Sequence, residues 1–249
     1  MNSFLLLAIA AFAAGIVNAL AGGGTFLTFP ALIAAGIPPI SANATSTVAL
    51  YPAYFVSAWT GRKAFKLVQG QRDLHILRLS ILSLIGGLIG GLLLVYTPAP
   101  TFSAIIPWLL GFATLVFAIG NLMPKSVGTH LLGPRGIAIT QSLISVYGGY
   151  FGGGVGLMML ATLTFYGLRD IKLMNVIKLA FVGLMNTAAV ATFILAGQVH
   201  WPQALTMMAA GIGGGYAGGK LNGIIDPRAV KLFVVVMGAV LTLWFALKP

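Results

Sequence analysis

The sequence has very little negative charge and no cysteine. Three acidic residues stand against fourteen Lys and Arg, which gives a formal net charge of +11 at pH 7, and 7% of all residues are charged. Soluble domains carry about 25% charged residues, so a chain with 59% hydrophobic residues is expected to be a membrane protein. The lack of cysteine excludes disulfides, thiolate catalysis and cysteine-ligated metal sites.

The acidic residues are Asp73, Asp170 and Asp226, and each lies close to an arginine outside the long apolar stretches. We interpret them as members of ion pairs at the membrane interface. No carboxylate pair, histidine cluster or nucleophile with a nearby base falls at membrane depth, and an embedded enzyme would need one of these. The sequence therefore predicts neither an enzyme nor a metal or cofactor site.

Long uncharged stretches alternate with short basic segments. Because about 20 residues cross a bilayer as a helix, each stretch is long enough for one or two helices. Basic residues collect in cytoplasmic loops, which explains the positive charge without nucleic acid and predicts that both termini lie outside. The uncharged stretches are residues 1–61, 79–124, 136–168, 179–219 and 232–247.

Ten apolar segments follow from these lengths, so the predicted fold class is an all-α polytopic membrane protein. No Lys or Arg precedes the first segment as a signal peptide requires, so we expect it to stay in the protein. The second and seventh segments are too short to cross comfortably, and whether they cross or are re-entrant stays open. The segments lie near residues 3–20, 25–36, 44–59, 76–95, 104–123, 136–151, 155–168, 174–196, 203–223 and 230–247.

An internal repeat relates the two halves of the chain. Three consecutive glycines at 22–24 recur at 152–154, and the paired glycines of GGLIGG recur in GGGYAGG. The sequence thus predicts a first repeat over 1–124, a cytoplasmic linker over 125–135 and a second repeat over 136–249. Each repeat has five segments and the charged and uncharged loops exchange places between them, which predicts inverted topology, a pattern typical of secondary transporters.

The glycines have two readings. Glycines spaced along one helix face allow helices to pack closely, and we assign GGLIGG and GGGYAGG to packing. Three glycines in a row favour a broken helix instead, and unpaired backbone at membrane depth is tolerated only inside protein or beside a water-filled cavity.

Both halves resemble the sulfite exporter TauE/SafE family. The first half does so through NALAGGGTFLTFPAL and GIPPISANATSTVAL, and the second through VYGGYFGGGVGLMMLA and LMNVIKLAFVGLMN. The resemblance covers nearly the whole chain and implies a multi-pass protein of a prokaryotic inner membrane. It also implies a substrate that is a small sulfur-containing anion, such as sulfite or an organosulfonate.

Candidate substrate-binding residues flank the two glycine triplets. An anion can bind the N-terminus of a helix that restarts after each triplet, and polar side chains open the following segments. Some of these residues have an alternative role: Asn43 and Asn175 could cap helices, Lys178 could snorkel to the interface, and Tyr147 could pack at the interface. Three further polar residues, Asn18, Gln141 and Asn186, either join helices or line a cavity. The predicted set is Gly22, Gly23, Gly24, Thr25, Asn43, Thr45, Ser46, Tyr147, Gly152, Gly153, Gly154, Asn175 and Lys178.

The leading functional hypothesis is a secondary carrier that works by alternating access between the repeats. An anion channel or facilitator and a carrier of another small organic anion are the alternatives. A membrane scaffold would not need two matched helix breaks. The expected partners are the anion and membrane lipids; the exact substrate, the direction of transport, protons as coupling ion and a homodimer stay open.

Overall fold

The computed structural model describes residues 3–20, 22–60, 75–122, 132–168, 170–221, 224 and 227–247, and these residues form ten α-helices. The predicted all-α fold class is confirmed. The basic segment 62–72 and most of the predicted linker 125–135 lie outside the described residues. The helices are α1 Ser3–Leu20, α2 Thr25–Ala34, α3 Pro39–Thr60, α4 Ile76–Tyr96, α5 Ala99–Leu122, α6 Pro134–Tyr150, α7 Val155–Phe165, α8 Ile171–Leu195, α9 Trp201–Leu221 and α10 Pro227–Leu247.

Every predicted segment corresponds to one helix, but several helices begin earlier than predicted. The third was expected from residue 44 and begins at Pro39, while α6 and α10 begin at Pro134 and Pro227. Proline at the first helical position has a preformed backbone angle and needs no donor there. These prolines therefore start helices, although the segment bounds predicted from the sequence leave them in loops.

The surface of the described residues is that of a membrane protein. Four helices are individually long and apolar enough to cross a bilayer, namely α1, α4, the first part of α5 and most of α8. Large apolar side chains point outward, with Leu77, Trp108 and Leu195 exposed by 76%, 78% and 88%. Soluble monomers rarely expose apolar patches larger than a few hundred Å², so lipid is the medium that fits this surface.

Two helices are too short to span. The ten residues of α2 and the eleven of α7 extend about 15–17 Å at 1.5 Å per residue. Both lie in the interior: Phe26 and Phe29 of α2 are buried, and the Phe29 ring lies 5.7 Å from that of Phe151 and 5.6 Å from that of Phe245.

The paired glycines serve packing, as predicted. A Cβ on Gly90 of α4 would lie 2.6 Å from the backbone nitrogen of Tyr150 in α6, and one on Gly87 would lie 2.7 Å from the carbonyl carbon of Met185 in α8. In α9 a Cβ on Gly214 would lie 2.8 Å from the carbonyl carbon of Phe12 in α1. Only glycine permits these backbone contacts, since any side chain would separate the helices.

The contacts between helices fall into matched pairs. Helix α9 packs against α1 and α3, and α4 packs against α6 and α8. Helix α5 contacts α7, and α10 contacts α2. Each of these six contacts becomes another of the six when the first five helices are exchanged in order for the last five, and α3 with α8 and α5 with α10 pair the two counterparts directly.

Candidate functional site

The first glycine triplet, Gly22–Gly24, interrupts the path from α1 to α2, and we call it the first break. Gly22 and Gly23 have φ angles of +82° and +158°. The side chain of Asn18 crosses the gap: its Oδ1 accepts the N–H groups of Gly23 at 3.0 Å and Gly24 at 2.7 Å. One amide oxygen therefore satisfies two backbone donors that the broken helix leaves without a helical partner.

The second triplet, Gly152–Gly154, interrupts the path from α6 to α7, and we call it the second break. Gly152 and Gly154 both have φ of +72°, a left-handed conformation that glycine adopts without strain. The hydroxyl of Tyr147 donates to the carbonyl of Gly153 at 2.8 Å. The described residues provide no acceptor for the N–H groups of Gly153 and Gly154, although both residues are buried.

The two breaks touch each other. A Cβ on Gly22 would lie 2.7 Å from Cα of Gly156, in the first turn of α7. A Cβ on Gly23 would lie 3.4 Å from the Leu157 side chain, and one on Gly154 would lie 3.1 Å from the Phe26 ring. The start of each short helix therefore packs against the break of the other half.

Lys178 lies beside this junction. Its side chain is 1% exposed, and its ammonium donates to the carbonyl oxygen of Asn18 at 3.2 Å and to Oδ1 of Asn175 at 3.1 Å. A Cβ on Gly156 would lie 3.5 Å from Cδ of Lys178. The amine is thus held between α1 and α8, and it does not reach the surface of the described structure as snorkelling to the interface would require.

The charge of Lys178 has no carboxylate partner among the described residues. Asp170 is exposed and accepts the N–H of Leu173 at 3.4 Å, while Asp73 and Asp226, with their predicted ion pairs, lie outside the described residues. An ammonium has three donors, and the described structure pairs two of them. A buried charge is costly unless it is both paired and hydrogen-bonded, and the described structure gives this ammonium two hydrogen bonds and no opposite charge.

Asn43 is the counterpart of Asn175 in the first half. It is fully buried, and its Nδ2 donates to the carbonyl oxygen of Tyr150, two residues before the second break, at 3.0 Å. Its Oδ1 has no partner among the described residues. Thr47, one turn further along α3, faces the same segment, since a Cβ on Gly152 would lie 3.9 Å from its hydroxyl oxygen.

The predicted hydroxyl groups of Thr45 and Ser46 form hydrogen bonds within the protein. Ser46 and Thr28 are 2.6 Å apart, and Thr45 accepts the backbone N–H of His200 at 3.0 Å. Thr25 is buried at the first position of α2. Ser46 occupies the position that Lys178 has in the second half, so the two halves present different chemistry to the junction.

The structure brings most of the predicted residues to the two touching breaks, with Tyr147 bonded to the backbone of the second break. From the sequence, Asn18 is predicted to join helices or to line a cavity; in the structure it caps the first break. The prediction from the sequence missed Tyr54, whose hydroxyl is reached by the side chains of Asn18 and Asn186. The capping role of Asn18 could have been predicted from its position in the sequence, because a polar side chain four residues before a glycine triplet can reach the N–H groups of the triplet.

The arrangement of donors at the junction suits an anion. The described residues contain no group of three or more histidines and acids that could hold a metal ion. Buried donors at the junction are the Lys178 ammonium and the backbone N–H groups of the breaks. Helix N-termini attract negative charge through these N–H groups and the helix dipole.

Comparisons with known proteins agree with a transport role. The family model described as sulfite exporter TauE/SafE matches residues 7–245. A Sinorhizobium protein named probable membrane transporter protein ORF9 is 31% identical over 236 residues, which cover 92% of this chain and 88% of that protein.

Two further relatives carry similar names. A probable membrane transporter protein of Haemophilus influenzae is 29% identical, with 93% of this chain and 89% of that protein covered. The probable membrane transporter protein YfcA of Escherichia coli K12 is 29% identical, with 97% and 90% covered. No solved structure matches this chain significantly.

Proposed function

This chain belongs to the sulfite exporter TauE/SafE family and is a membrane transporter, and we propose that it is a secondary carrier for small sulfur-containing anions such as sulfite or organosulfonates. The observation that carries the anion assignment is Lys178: a buried cation without a carboxylate partner in the described interior, placed where two helix breaks touch. A bound anion would compensate its charge and take up the backbone donors that the second break leaves open.

The proposed binding site combines both halves of the chain. Lys178 supplies the positive charge, the second break supplies N–H donors, both breaks supply helix N-termini, and the buried polar side chains at the starts of α3 and α8 shape the surroundings. The proposed residues are Gly22, Gly23, Gly24, Thr25, Asn43, Thr45, Ser46, Tyr147, Gly152, Gly153, Gly154, Asn175 and Lys178.

Alternating access between two inverted repeats is the proposed mechanism. The exchange of helix contacts between the first five and last five helices supports a two-fold relation, and the matched short helices α2 and α7 support equivalent roles. The breaks lie where the halves meet, which is where inverted-repeat carriers place their substrate. In this proposal the protein lies in a prokaryotic inner membrane with basic loops in the cytoplasm and both termini outside.

Uptake of radiolabelled sulfite into proteoliposomes tests the function. We expect saturable uptake that unlabelled sulfite and small sulfonates reduce by competition. Uptake that rises linearly with concentration would indicate a channel, and no uptake of any sulfur anion would remove the substrate assignment. Repeating the assay with an imposed pH gradient shows whether protons are the coupling ion.

A further inference from the structure

The two breaks differ in one residue that decides which of them can receive a ligand. In the first half Asn18 precedes the triplet by four residues and caps the N–H groups of Gly23 and Gly24. The corresponding residue in the second half is Gly148, which has no side chain. The N–H groups of Gly153 and Gly154 therefore stay without an acceptor among the described residues.

An unpaired acceptor lies at the same segment. Asn43 is fully buried and bound to the carbonyl of Tyr150 through Nδ2, which leaves its Oδ1 without a partner among the described residues. Buried backbone donors and amide oxygens are nearly always paired in folded proteins. Two open donors in the glycine segment, and one open acceptor on a side chain bonded two residues before it, indicate a binding place for a molecule that both accepts and donates.

We propose that the second break is the oxyanion subsite of the carrier, in which Gly153 and Gly154 donate to the oxygens of the anion and Asn43 accepts from a hydroxyl or amine on the same ligand. The inference rests on the proposed function and deepens it. Asn18 fills the equivalent place in the first break with its own amide oxygen, so that break serves as a fixed support for Lys178 through the Asn18 carbonyl.

A substitution that restores the missing cap tests the subsite. Gly148→Asn would supply an amide oxygen to the second break, as Asn18 does to the first. Gly148→Ala is the matched control, because both variants carry the same Cβ, which would meet the flexible side chain of Met185 and lie 2.9 Å from Val155 Cγ2. Their difference isolates the capping oxygen from the steric change.

Binding to purified protein is measured by titration with 2-hydroxyethanesulfonate and with 1-propanesulfonate, which replaces the hydroxyl by a methyl group. We expect Gly148→Asn to bind both about tenfold or more weakly than Gly148→Ala, since hydrogen bonds to charged groups are the stronger ones. Equal binding by the two variants, with both folded, would overturn the subsite while leaving the proposed function intact.

The Asn43 half of the proposal has its own readout and does not depend on the glycine variants. The natural protein is expected to prefer the hydroxyl-bearing sulfonate by about fivefold or more, and Asn43→Ala is expected to lose that preference while still binding 1-propanesulfonate. The same affinity of the natural protein for both ligands would overturn the role of Asn43. Binding of neither ligand would overturn the subsite and the sulfonate assignment together.

Discussion

At the residue scale, the Lys178 side chain from the second half of the chain meets the backbone carbonyl of Asn18 from the first half. Asn18 uses its side chain to cap the first break and its backbone oxygen to accept the Lys178 ammonium. Asn18 lies in the last turn of α1, where carbonyl groups have no partner within the helix, and its side chain ties the glycine segment that follows to this turn. Asn18 is therefore a positioning residue for Lys178 as well as a part of the fold.

Replacing Asn18 by alanine is expected to destabilise the protein. The change leaves the buried N–H groups of Gly23 and Gly24 without acceptors, at about 1–3 kcal/mol for each. In a chain of this length 1 kcal/mol corresponds to about 2–4 °C in Tm, so we expect Tm to fall by about 4 °C or more.

Thr206→Ala is the control for that measurement, because it removes a hydroxyl that bonds only to the carbonyl of Pro202 in its own helix. Its Tm should stay close to that of the natural protein. If Asn18→Ala and Thr206→Ala had the same Tm in a thermal melt, the cap would not hold the first break.

The sequence predicted the identity of most residues at the junction but not their partners. Lys178 could be recognised as a cation near the start of a helix, and both a ligand role and snorkelling fitted that position. Its distance from the Asn18 carbonyl depends on how α1 packs beside α8, because Asn18 and Lys178 are 160 positions apart in sequence. Such a tertiary contact produces no local pattern in the sequence from which it could be predicted.

At the element scale, the two breaks must touch for the proposed site to form. Gly22 is the residue that allows this, since its φ is +82° and its missing Cβ leaves space for Cα of Gly156. The triplets were predicted to break helices, and the lengths of α2 and α7 followed from the glycine positions. The contact between the two breaks could not be predicted from the glycine positions, because it joins residues from separate halves of the chain.

Gly22→Ala is expected to abolish transport and lower the yield of folded protein. The substitution adds both a strained backbone angle and a Cβ 2.7 Å from Gly156 Cα. Gly36→Ala is a matched control: Gly36 has a φ of +85° and nothing within 4 Å of its Cβ position, so it pays about 1–2 kcal/mol of left-handed strain without a clash.

For both variants, size-exclusion chromatography measures the yield of folded protein, and uptake into proteoliposomes measures transport. Gly36→Ala should retain most of its transport. Equal behaviour of the two variants would mean that backbone strain alone matters and that the contact between the breaks does not.

At the scale of the whole molecule, the proposed inverted topology places equivalent loops on opposite sides of the membrane. Tyr96 ends the fourth helix and is 81% exposed, and Ile224 follows the ninth and is 77% exposed. The loops after these helices are counterparts in the two repeats. The absence of natural cysteine makes single-cysteine labelling free of background.

Tyr96→Cys is expected to react with a membrane-impermeant thiol reagent added to intact cells, and Ile224→Cys only after the membrane is opened. His200→Cys and Arg78→Cys give a second pair with the same expectation, outside and inside respectively. Labelling of Tyr96→Cys and Ile224→Cys from the same side would exclude inversion and indicate parallel repeats.

The ten segments and the membrane class were predicted from composition because uncharged stretches of known length leave few ways to cross a bilayer. The matched packing of α1 with α9 and of α4 with α6 could not be predicted from the sequence. Paired glycines indicate which face of a helix packs closely, but they do not indicate which helix packs against it. The repeat narrows the choice of packing partner, because each of these two contacts becomes the other when the two halves are exchanged.

Binding and transport by Lys178→Gln test most directly whether a buried cation at the meeting of the two halves binds the substrate. We expect its affinity for sulfite to fall about 10–100-fold, the range of a lost charged hydrogen bond, while Tm stays level or rises because a buried charge is removed. Lys220→Gln is the control, since Lys220 is exposed and lies 4.4 Å above the Tyr216 ring. Sulfite uptake by Lys178→Gln with unchanged affinity and rate would contradict the proposed site.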